Sequence, residues 1–188
     1  RQRQRSPTDQ TELKSMFVKE GEQKQKGQLF HRPSLLDAAS DWYLQTQYTG
    51  SEQSFPVHIC VTDRRPDIVI WSLSAKQCIL IELTCPVEEN ILDARAYKIN
   101  RYSELKSQIE DNGWTCHLRS IECGARGMVS FSVHRCLRAL GFSYPQSKAL
   151  CFKLSSCVAR CSFAIYRSCA VKNWTNLPLV RIGDCIPS

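Results

Sequence analysis

The chain has 188 residues, of which 43% are hydrophobic and 23% charged, with a formal net charge of +7. That length admits one sizeable core with a small accessory segment, and the apolar content beyond residue 28 excludes a wholly disordered polymer. The charge is about +3 in residues 1 to 28, −2 in 29 to 84, +1 in 85 to 141 and +5 in 142 to 188, so the basic ends suit nucleic acid or another anionic surface.

Residues 1 to 28, rich in Gln, Lys, Glu and Arg, can bury too little surface to offset ordering entropy and read as a disordered tail or linker. In "PSLLDAASDWYLQTQ", Leu35, Leu36, Ala39, Trp42 and Tyr43 recur at helical spacing after Pro33 and Ser34, which predicts a first helix. "FPVHICVT", "DIVIWS" and "CILIELT" predict three strands, and the near-continuous hydrophobicity implies cover on both faces. A long helix is expected from "CPVEEN", with Pro86 at its first position, Glu88 and Glu89 at its positive end and Gly113 beyond its last turn.

"WTCHLRSIECGA" predicts a fourth strand, closed by the turn "GARG". Ser130 is placed to cap a helix through "FSVHRCLRAL", which Gly141 stops. Residues 145 to 171 predict another helix, and "NLPLVRIGDCIPS" supports no assignment. The domain plan is a tail over 1–28, an α/β domain over 29–143 and a C-terminal helical extension with an unassigned tail over 144–188.

Eleven cysteines, an odd number with no CxxC pair and no signal peptide, predict reduced thiols rather than a disulfide framework. His134 with Cys136, or Cys157 with Cys161, has the spacing of half a zinc site, without a matching second pair. No run reaches the roughly 18 apolar residues of a membrane span, so a soluble chain without a membrane partner is expected. A start at Arg1 fits a piece of a longer open reading frame.

Two carboxylates stand out in the apolar strands. If the turn between "DIVIWS" and "CILIELT" is centred between Ser74 and Ala75, Asp67 falls opposite Glu82 on one face of the sheet. A turn of odd length without a bulge would instead send them to opposite faces. Opposed like charges in an apolar strand need a compensating positive charge, from a basic side chain or from a divalent cation such as Mg²⁺.

On the following helix, Val87, Ile91, Ala94, Leu105 and Ile109 form an apolar stripe whose two intervening positions are Lys98 and Tyr102. A lysine on that stripe can snorkel to water, or it can stand over the carboxylates, orient a water molecule and stabilise developing negative charge. Tyr102, one turn on, can belong to the core or hold the lysine or a substrate.

The pattern "RPD", fourteen residues, "E", then "KINRY" resembles the restriction-like endonuclease domain that follows reverse transcriptase in site-specific non-LTR retrotransposons, within the PD-(D/E)XK nuclease superfamily. The resemblance spans about Leu29 to Gly141 and takes in "IELTCPVEEN", "GW" and "GARG". It implies a core of helix, three strands, helix and strand with a mixed central sheet flanked by helices. Asp67 and Glu82 would hold Mg²⁺ or Mn²⁺, Lys98 would be the catalytic lysine and Tyr102 would complete the motif. Thr84 stands where the wider superfamily has lysine, and the retrotransposon branch moves that lysine to the helix.

Arg64, Arg65 and Arg126 are candidate DNA phosphate contacts, Glu122 a candidate accessory acid with a solvated strand position as its alternative, and Asp41 and Asp63 candidate assistants in metal binding. The implied activity is metal-dependent nicking of DNA that primes reverse transcription at an insertion site, in a nuclear or nucleocytoplasmic protein whose parent polypeptide carries a reverse transcriptase. The alternatives are an inactive DNA-binding or structural remnant of such an element and, more remotely, a branched-DNA resolvase.

Overall fold

A computed structural model describes residues 33–46 and 54–169, all within a compact unit beginning at Pro33. The predicted tail over 1–28 and the stretch "NLPLVRIGDCIPS" lie outside the described residues. Its elements are β1 (Trp42–Thr46), β2 (Ile68–Ser72), β3 (Gln77–Thr84), α1 (Ile91–Asp111), β4 (Thr115–Glu122), α2 (Phe131–Ala139) and α3 (Tyr144–Cys169). The four strands form one mixed sheet in the order β1-β2-β3-β4, with β1-β2 and β2-β3 antiparallel and β3-β4 parallel.

The parallel pair requires a crossover, which α1 supplies. One face of the sheet, with Val69, Cys78, Leu80 and Cys116, packs against Tyr102, Leu105 and Ile109 of α1 and against Phe55, Ile59 and Cys60. On the other face Ile79, Ile81 and Ile121 meet Cys136 of α2, with Leu35, Leu36 and Trp42 beside them. The expected cover on both faces of β3 is therefore present, and its first six residues are all buried.

The first predicted helix is replaced by a single 3-10 turn, Leu35–Ala38, and by strand β1. Ser34 and Asp37 close a capping box around that turn, but Asp41 is drawn away to Ser72 and Ser74, and the chain from Trp42 pairs with β2 instead of winding on. "FPVHICVT" is likewise not a strand. Ile59 and Cys60 donate backbone bonds to the Pro56 carbonyl, so Phe55, Ile59 and Cys60 turn inward while Val57 and Val61 are exposed.

α1 begins at Ile91, five residues after Pro86, because Glu88–Asn90 forms a separate 3-10 turn preceded by an extended Val87. Its far end follows the expectation: Gly113 has φ +79°, Gly113 N donates to Glu110 O, and Trp114 N donates to Ile109 O. The Ser130 hydroxyl caps α2 by accepting from Ser132 N, and Gly141 follows it with φ +94°.

α3 follows the predicted C-terminal helix closely. Its stretch Tyr144–Ser168 contains an 18-residue window of mean hydropathy 1.3, long and apolar enough by length and composition to cross a membrane, which the interrupted run near its end does not convey. Among the described cysteines, Cys60, Cys78, Cys116, Cys123 and Cys136 are buried and free. Burial pushes the Cys136 thiol up to about 11, which keeps it protonated near neutrality.

Candidate active site

Ser72 pairs with Gln77, so the β2-β3 turn has four residues, and Ile68 pairs with Ile81. Continuing that register by one residue sets Asp67 opposite Glu82, on the face that packs against α1. The even turn length makes this possible. Each carboxylate takes a backbone donor from the other strand: Asp67 N donates to Glu82 Oε1 at 3.0 Å, and Leu83 N donates to Asp67 Oδ2 at 2.8 Å. These two bonds continue the cross-strand ties beyond Ile68.

Lys98 stands over this pair. Its Nζ lies 2.7 Å from Glu82 Oε2 and 3.7 Å from Asp67 Oδ2, so one ammonium serves both carboxylates. The stripe on α1 explains the placement, because Lys98 shares a face with Tyr102, Leu105 and Ile109, all buried. Val87, the first residue of the expected stripe, precedes the helix and is exposed.

Glu82 is fully buried, which would be costly without a counter-charge and donors for both oxygens. Lys98 and Asp67 N supply them. Asp67 keeps about a quarter of its side chain exposed, so the trio opens to solvent on the aspartate side.

Tyr102 is buried on the same face of α1. Its hydroxyl donates to the Arg65 carbonyl at 3.0 Å, holding the "RPD" segment against α1. Burial, followed by the charge of Glu82, pushes its phenol up to about 12. Tyr102 is thus a positioning residue for the loop that presents Asp67.

The candidate phosphate contacts separate. Arg64 donates to the Arg101 carbonyl at 2.7 Å and pairs with Glu104 at 3.3 Å. Together with Asp63, Arg65 and Arg101 it lines an open cavity of about 380 Å³. Arg101 was not singled out from the sequence, although its position three residues after Lys98 on the helix is a usable signal.

Arg126 is exposed but engaged by Glu88 at 2.7 Å and by Glu89 at 3.0 Å, so its charge is locally balanced. Arg126 N also donates to Glu88 Oε1, and a Cβ at Gly124 would meet the Glu88 side chain within 2.7 Å and displace it. The "GARG" turn is thereby pinned to the entry of α1. Asp41 accepts from Ser72 and Ser74, which hold its carboxyl well below the usual range, and it fastens β1 to the hairpin turn.

Glu122 departs from the solvated position weighed for it. It is fully buried, accepts a hydrogen bond from Ser132 Oγ, and its Oε1 has no protein partner. In the parallel register Glu82 faces Ser120 and Thr84 faces Glu122, two residues farther along the same strand end. His134 bonds to Ser147 and Cys136 lies in the core, and among the described residues no group of three or more His, Cys, Asp or Glu converges as a metal site.

Two carboxylates alone still fit a cation that keeps several waters and completes its shell with substrate phosphate oxygens, as Mg²⁺ does. Comparison with protein-family models and with curated protein sequences gives no match.

Proposed function

We propose that the chain is a metal-dependent DNA endonuclease built on a PD-(D/E)XK-type core. The observation that carries this reading is the contact of Lys98 Nζ with both Asp67 and Glu82, residues brought opposite each other by the hairpin. The order of three strands, helix and strand supports it, although a 3-10 turn stands where the superfamily core has its first helix.

Asp67 and Glu82 would hold Mg²⁺ or Mn²⁺. When bound, the ion lowers the pKa of a coordinated water and offsets charge developing on the phosphate. Lys98, anchored by buried Glu82, would orient the attacking water and donate to phosphate oxygens as negative charge builds. Tyr102 fixes the Arg65 carbonyl, and with it the approach of Asp67 to the site. Arg64, Arg65 and Arg101 surround a cavity suited to flanking phosphates. In a retrotransposon setting, the nick leaves a 3′ hydroxyl that primes reverse transcription.

A second reading has one observation in its favour: Asp67, Glu82 and Lys98 form a self-satisfied ion network that a non-catalytic DNA-binding remnant would also retain. Nicking of supercoiled plasmid with Mg²⁺ or Mn²⁺ separates the two. The wild type is expected to nick, with Asp67→Ala and Lys98→Ala slowed by about 100-fold or more. An inert wild type, or three proteins with equal rates, overturns the nuclease reading.

A further inference from the structure

A second cavity, about 320 Å³, lies where the start of α2 meets the start of α3, lined by Ser130, Phe131, His134, Tyr144 and Lys148 among others. We propose that this notch binds an unpaired nucleobase of single-stranded nucleic acid, stacked on its exposed rings, with the adjoining phosphate held by Lys148. The proposal rests on the nuclease reading for the class of polymer and goes beyond it in assigning a site for a single strand.

Phe131 and Tyr144, which line the cavity, are 64% and 61% exposed, so both present ring surface to a partner. His134 lies between them, 5.8 Å from the Phe131 ring centroid and 5.1 Å from that of Tyr144. The Arg135 guanidinium lies over the Phe131 ring, 4.9 Å from its centroid, so a cation already covers one face of that ring and a base would stack on the other. Aromatic platforms flanked by cations are how proteins hold single strands, because every base has a π-face and every nucleotide a negative charge.

The polar groups suit a base edge. The hydroxyl of fully buried Ser147 lies 2.8 Å from His134 Nδ1 and 3.1 Å from the Tyr144 carbonyl, which ties the imidazole to the start of α3 at the edge of the cavity. Ser130 Oγ, which also lines the cavity, accepts from Ser132 N and lies 3.2 Å from Ser132 Oγ. Placement supports the pairing of functions. Ser130 N donates to the Glu122 carbonyl, and Glu122 ends β4 beside the end of β3 that carries Glu82. The start of α2, which lines the notch, is therefore tied to the same end of the sheet as the carboxylate and lysine cluster. A volume near 320 Å³ falls at the low end of the roughly 300–1,000 Å³ typical of small-ligand pockets.

The test is fluorescence anisotropy of the full chain, in EDTA, with a labelled oligothymidylate of about 15 nucleotides and with a duplex of equal length. Phe131→Ala and Tyr144→Ala should each weaken oligothymidylate binding by roughly 5- to 150-fold while changing duplex affinity less than about twofold. Tyr144→Phe should restore binding, and Lys148→Ala should reduce the salt slope by about 0.7. Absence of oligothymidylate binding by the wild type, wild-type affinity in both alanine variants, or equal losses on the two ligands would overturn the proposal. Without metal the measurement is independent of cleavage: a chain that nicks plasmid but shows no ring-dependent single-strand binding defeats this inference alone. One that binds through the rings and never nicks defeats only the nuclease.

Discussion

Glu82 and Glu122 lie near the same ends of neighbouring parallel strands, two residues apart in register, and both are fully buried. Glu82 meets an ammonium and a backbone N–H, one for each oxygen. Glu122 meets the Ser132 hydroxyl on one oxygen and no protein group on the other. The difference lies in the helices that cover them: α1 brings a lysine and α2 brings a serine. A carboxylate's setting is therefore decided by the element packed over it as much as by its own strand.

Removing the partner should sharpen that contrast most. Lys98→Met leaves Glu82 buried without its counter-charge and should destabilise the fold by about 3–5 kcal/mol, whereas Glu122→Gln, which preserves shape and an acceptor for Ser132, should cost less than about 1 kcal/mol. Urea denaturation midpoints measure both, and equal losses would show that the two glutamates are buried on the same terms. Ser132→Ala comes next, since it strips Glu122 of its side-chain donor: about 1–3 kcal/mol is expected by the same assay. A neutral result would mean that Glu122 needs no donor from α2.

The smallest effect belongs to Tyr102→Phe, which loses the bond to the Arg65 carbonyl, worth about 1 kcal/mol. Its pH dependence has a defined sign. The folded phenol is raised from 10.0 to about 12, so its contribution is present below pH 10 and is lost as pH rises from there through about 12. Wild type minus variant stability, measured at pH 9 and pH 11, should therefore shrink at the higher pH. A constant or growing difference would remove burial beside Glu82 as the cause.

The cluster was largely legible because its parts are local. Two apolar runs and an even turn set the Asp67 and Glu82 register, and the periodicity of α1 placed Lys98 and Tyr102 on the sheet-facing side. What the sequence concealed depends on distant partners. Trp42 and Tyr43 fit a helical stripe, but pairing with Ser72 and Trp71 made them a strand. Glu122 looks like an ordinary polar strand residue until Ser132, ten positions later, folds over it. Phe131 and Tyr144 sit on separate helices whose packing no local pattern announces.

The four-residue turn between β2 and β3 also bears on the order in which the molecule assembles. Asp67 and Glu82 are 15 residues apart and Lys98 only 16 beyond. The β3-β4 ladder, by contrast, joins residues such as Gln77 and Thr115 across the whole crossover. Short loops close at lower entropic cost than long ones, and parallel pairing is the slower event. The hairpin can therefore bring the two like charges together early in folding, and α1, the next element in the chain, carries the cation that makes their proximity tolerable before β4 arrives to complete the sheet.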